Sequence, residues 1–189
     1  MAVPVPLRPL RVNLIELLRQ PGAERHAECA VDPVDLGCVA PEAATVDFAG
    51  AISVVIDAVS GVDDVEVTTA VRIPWVGSCR RCLDEVRGEV ATTVVERFAP
   101  EGSPVVGRGD RSEAEVVAVA GDQIDLAPTV RETAVIELPV APLCSPDCRG
   151  ICAECGADLN LGDCGCRVEI TDDRWAALDA LRGQLGDGA

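Results

Sequence analysis

Apolar and polar residues alternate between Val65 and Ile73, apart from Thr69 and Ala70. Val65, Val67, Thr69, Val71 and Ile73 share one parity; Glu66, Thr68, Ala70 and Arg72 share the other. A period of two turns one set to a core and the other to water, so the stretch predicts a half-buried strand. The pattern resumes after a cysteine pair, with Val86, Val90, Thr92, Val94 and Phe98 against Arg87, Glu89, Thr93 and Arg97. Two long strands flanking "SCRRCLDE" predict a hairpin with Cys79 and Cys82 at its tip. Upstream, "ISVVIDAVS" is a further β-rich run that ends at Gly61.

Helical signals are fewer. Asn13 can cap a short helix from Leu14 to Gln20, stopped by Pro21-Gly22. A second helix is expected after Asp125, with Pro128 in its first turn, Ala127, Val130, Ala134 and Leu138 on one face, and Pro139 as its stop. A third is expected over 171–185, where Asp172 and Asp173 suit the positive end of the helix dipole. Its stripe of Trp175, Leu178, Leu181 and Leu185 reads as packing. Pro100 to Glu115, rich in Gly, Pro, Ser and charge, reads as a mobile loop. The expected fold is α+β in one domain of 189 residues: an antiparallel sheet with flanking helices, and cysteine-rich zinc-knuckle elements over 144–167.

Composition narrows the chemistry. Nearly half of the residues are apolar, enough for a core, but only two Phe and two Trp are present. The net charge of −16 is the wrong sign for general nucleic-acid binding, where affinity comes from neutralising phosphates. It suits docking on a basic partner. No stretch reaches membrane-spanning length, and the opening residues lack a signal peptide's apolar centre, so a reducing cytoplasm is the expected compartment.

Ten cysteines then change the picture. From Cys144 the spacing is C-x3-C-x3-C-x2-C-x8-C-x-C, and Cys79-x2-Cys82 lies upstream. A C-x2-C turn brings two sulfurs to one ion at about 2.3 Å. Gly156 suits the left-handed residue that closes such a turn, and Gly165 lets Cys164 and Cys166 aim together. With a single histidine, His26, which reads as a strand or surface residue, the ligands must be nearly all thiolate. Zn²⁺ is the expected ion, one or two per chain, in structural sites. One partition groups Cys152, Cys155, Cys164 and Cys166, and separately Cys79, Cys82, Cys144 and Cys148. Another joins Cys79 and Cys82 to Cys152 and Cys155. Cys29 and Cys38 stand apart and read as small, partly buried residues. Arg80, Arg81, Arg149 and Arg167 flank the cysteines, either offsetting thiolate charge or as plain surface residues; Asp158 and Asn160 read as turn residues.

Disulfides are disfavoured by the expected compartment. A thiol redox switch stays open, since "CRRC" sets two cations beside thiols. No HExxH, Gly-rich phosphate loop or Ser-His-Asp order appears, so no catalytic residue is expected.

"CRRCLDEV", "IDLAPTVRETAVIELPVAPLC" and "CRGICAECGADLN" followed by "CGC" resemble the YceD family, the large ribosomal RNA subunit accumulation proteins, in its cysteine-rich form. The likeness is strongest over Cys79 to Val86 and Gly121 to Arg167, and extends to "LRVNLIELLRQPG". It implies a non-catalytic cytoplasmic factor of bacteria, acting in synthesis, processing or stability of large-subunit (23S) ribosomal RNA. The expected partner is a basic ribosomal protein, a processing enzyme or a pre-large-subunit particle, rather than naked RNA. The eight clustered cysteines carry over as metal ligands. A redox sensor that releases zinc, or a metal-dependent ribonuclease, are the competing functions.

Overall fold

The computed structural model describes residues 8–38, 46–106 and 115–166. Its elements run β1 (Arg11–Asn13), α1 (Leu14–Leu18), β2 (Glu24–Val31), β3 (Val46–Phe48), β4 (Ile52–Ser60), β5 (Val65–Ser78), β6 (Glu85–Pro100), β7 (Val116–Val119), β8 (Gln123–Asp125) and α2 (Ala127–Ile136). This is the expected α+β class. The third expected helix, 171–185, lies outside the described residues.

The main sheet has the order β2-β4-β5-β6-β7, with β3 on β5 beyond the end of β4. All of its pairings are antiparallel except β6 with β7. The β5–β6 hairpin is its spine: Val65 pairs with Phe98, and the register runs unbroken to Ser78 opposite Glu85. The alternation read from the sequence is the alternation of faces. Val65, Val67, Thr69, Val71 and Ile73 are buried, beside Ile52, Val54, Ile56 and Ala58 from β4. Burying each such Val or Ile side chain contributes roughly 1.5–3 kcal/mol.

That face is covered by α1, α2 and a two-stranded ribbon. β1 and β8 pair antiparallel, with Val12 opposite Ile124 and both buried. Backbone bonds from Leu14 N to Asp122 O (2.9 Å) and from Leu126 N to Leu10 O (3.0 Å) extend the seam. α1 is capped by Asn13, whose side chain accepts from Glu16 N at 2.9 Å, and it ends two residues earlier than expected. Asp125 sits one residue before the N-cap of α2, yet its carboxylate still takes the Ala127 N–H at 3.0 Å. Leu138 lies past the last turn of α2 and is buried nonetheless. His26 is on the exposed part of β2, as read from the sequence, and Cys29 and Cys38 are half-buried.

Trp75 crosses the hairpin opposite Gly88, where a Cβ would come within 2.5 Å of the indole. Beyond this point the hairpin leaves the main core. Its tip belongs to a second, separate cluster of Cys79, Cys82 and Cys148 with Val86 and Leu143 packed on them.

Candidate metal centre

The tip turn is set by short-range bonds. Leu83 N donates to Cys79 O at 2.9 Å, and Cys79 N to Asp84 O at 2.8 Å. The second C-x2-C turn repeats this form, with Gly156 N donating to Cys152 O at 2.9 Å. Gly156 closes it at φ 72°; in the first turn the same left-handed position, φ 68°, is held by Leu83. Leu83 is 63% exposed, so little packing offsets the Cβ strain of that conformation.

Residues 142–151 fold back onto the tip. Arg80 N donates to Pro142 O and Ile151 N to Arg81 O, at 3.0 and 3.1 Å. The Arg81 guanidinium donates to Cys148 O at 2.7 Å and to Pro146 O at 3.4 Å. Gly150 is pressed against the tip at φ 77°, and a Cβ there would stand 2.9 Å from Arg81 O.

These contacts gather the eight sulfurs into two groups: Cys79, Cys82, Cys144 and Cys148, and Cys152, Cys155, Cys164 and Cys166. The sulfurs of each group all lie within 4.8 Å of one another. The partition joining Cys79 and Cys82 to Cys152 and Cys155 is not the one the fold makes. Four thiolates at 2.3 Å from a tetrahedral ion stand about 3.8 Å apart. Cys79 Sγ is 3.8 Å from Cys148 Sγ, and Cys82 Sγ is 3.5 Å from Cys144 Sγ. These spacings fit four ligands on one metal ion, and all ten cysteines carry free sulfurs. Both groups could hold a metal.

The groups differ in exposure. In the first, here termed inner, three of four cysteines are buried; in the second, outer, only Cys152 is. Each holds a thiol whose pKa is lowered. Backbone amides of Cys82, then Cys144 and Arg81, hold Cys79 at about 6 against the opposing effect of burial. The Cys155 and Glu154 amides hold Cys152 at about 7. Other thiols of the groups rise: Cys166 is pushed up to about 12 by Cys155 and Cys164. Cys82 also rises; the Asp84 amide opposes this, but burial and the other three sulfurs prevail. A bound cation would displace the protons of the raised thiols.

Further bonds reach the sulfurs from residues read as turn or surface. Arg81 N lies 3.4 Å from Cys79 Sγ, and Asn160 Nδ2 lies 3.5 Å from Cys148 Sγ. Such donors stabilise thiolate and set its direction. The Asp158-x-Asn160 pair between Cys155 and Cys164 is the signal that points to it. Arg149 pairs with Asp163, and Arg167 lies outside the described residues. Elsewhere, three grooves of about 500, 340 and 320 Å³ are lined by residues outside both groups.

An α+β protein with two four-thiol knuckles is the class these features define. Residues 67–182 match the family of the large ribosomal RNA subunit accumulation protein YceD. The chain belongs to the YceD family. It is 35% identical to an uncharacterised protein of Mycobacterium tuberculosis over 95% of this chain and 84% of that one. It is 32% identical to an uncharacterised protein of Mycobacterium leprae over 91% of this chain and 77% of that one. A shorter likeness, 33% identity over 63 residues, links it to the chloroplastic large ribosomal RNA subunit accumulation protein YCED homolog 1 of Arabidopsis thaliana, over 33% of this chain and 20% of that one. No solved structure matches. No helix of the described residues is long and apolar enough to cross a membrane.

Proposed function

We propose that this protein is a non-catalytic cytoplasmic factor for the accumulation of large-subunit ribosomal RNA, with two structural zinc ions at its cysteine end. The observation that carries the reading is the gathering of eight sulfurs into two four-thiol groups within a chain of the YceD family. The thiolates would hold Zn²⁺ and fasten the hairpin tip to the C-terminal segment, a loop closure of more than sixty residues. Each filled site adds a net −2 to a chain already at −16, which supports docking on a basic ribosomal protein, a processing enzyme or a pre-large-subunit particle.

Metal analysis of anaerobically purified protein should give two zinc ions and two reactive thiols, Cys29 and Cys38. In cells, the protein should cosediment with large-subunit precursors, and its depletion should lower large-subunit ribosomal RNA. Tight binding to naked ribosomal RNA with a steep salt dependence would overturn the docking reading. The exposure of Cys155 and Cys166 favours one second reading, release of the outer zinc by oxidation. Reversible zinc loss at low peroxide would support it.

A further inference from the structure

Asn160 belongs by chain position to the outer group, lying between Cys155 and Cys164. Its side chain serves the inner one. The carboxamide oxygen accepts the Arg149 N–H at 2.8 Å. The nitrogen lies 2.8 Å from Asp158 Oδ1 and 3.5 Å from Cys148 Sγ. An amide nitrogen has two hydrogens. Asp158 takes one and thereby aims the other at the sulfur. Asp158 is itself held by the Asn160 N–H at 2.9 Å and by its bridge to Ile151. Leu159 N to Gly150 O and Cys152 N to Ala157 O, both 2.8 Å, lock this segment onto the short link between Cys148 and Cys152.

We propose that Asn160 makes metal binding at the two four-thiol groups cooperative. The inference rests on the reading that both groups bind metal. Filling the outer site draws Cys155 and Cys164 onto one ion and fixes the segment between them. Asn160 is then more tightly restricted before the inner site fills, and its N–H meets the Cys148 thiolate at a smaller entropic cost. Linkage makes the effect mutual: an ion at the inner site favours the outer site by the same factor. Asn160 is a positioning residue, acting on the metal through Cys148.

The test uses the full chain, reduced and stripped of metal, with Co²⁺ as a spectroscopic probe of tetrahedral thiolate sites. The wild type should take up two cobalt ions over one common concentration range. In Asn160→Ala the two should enter in separate steps, with the inner site weakened about 10-fold or more. Asn160→Asp keeps an acceptor for Arg149 N–H but offers sulfur no hydrogen, so it should behave like Asn160→Ala. Blocking the outer site with Cys155→Ser and Cys164→Ser should weaken the inner site in the wild-type background and add little in Asn160→Ala. Independent steps in the wild type, or joint filling retained in both Asn160 variants, would overturn the proposal. Uptake of fewer than two ions by the wild type would instead refute the two-site reading beneath it.

Discussion

Single residues carry consequences that a substitution can read. His26 is hydrogen-bonded through Nδ1 to Asp57 at 2.6 Å and through Nε2 to Glu28 at 3.2 Å. Its pKa is raised, first by the bond to Asp57 and then by that to Glu28. A raised folded-state pKa contributes stability that is full below the unfolded value of about 6.5 and is lost as pH climbs through the folded value. Urea midpoints of wild type and His26→Gln should therefore differ at pH 5.5 and converge by pH 9, with only a small gap because the site is exposed. Leu83 makes a second case. Replacing it with glycine relieves the left-handed strain at little loss of packing, a net gain of about 0.5–1 kcal/mol after the added freedom of the unfolded chain. In metal-loaded protein, Leu83→Gly should slow alkylation of the inner cysteines by about two- to five-fold.

At the scale of elements, legibility in the sequence followed burial. β4 and β5 announce themselves because each has one face turned to the core, so their side chains alternate in kind; β6 alternates between half-buried and exposed residues and enters the main core only at Phe98. β2 does not: its first three residues, Glu24, Arg25 and His26, are all exposed, and it is a strand because β4 offers it a ladder. β1, β3 and β8 span three residues each and β7 four, too short for any period to register. The hairpin with cysteines at its tip could be read from the alternation on either side of Cys79 and Cys82. Which cysteine pair it would meet could not, because that depends on how residues 142–151 return to the tip. Gly150 governs this return. Gly150→Ala should cost about 1–3 kcal/mol through the clash with Arg81 O at a positive φ. Faster alkylation of Cys79 and Cys148 in the loaded protein would register it. Gly102→Ala, at φ 85° with nothing within 4 Å, is the control for backbone strain alone.

For the whole molecule, the decisive feature is that the main core contains none of the eight clustered cysteines. The sheet, α1, α2 and the β1–β8 ribbon bury their own apolar faces, while the cysteine end coheres through its sulfurs and a few backbone bonds. Metal removal should therefore open one end and spare the other. After chelation under reducing conditions, amides of Val65 to Val71 should keep their hydrogen-exchange protection, while those of Cys79, Leu83 and Ile151 exchange freely. Complete loss of the β signal in circular dichroism would contradict this.

With zinc as the proposed ion, two separately cohering ends mean that a cell starved of it would not have to destroy this protein. The sheet would persist as a stable handle while its cysteine head lay open, and returning ions could rebuild the head without new synthesis. Supply of a micronutrient would then set how many existing copies are fit to work, rather than how many exist.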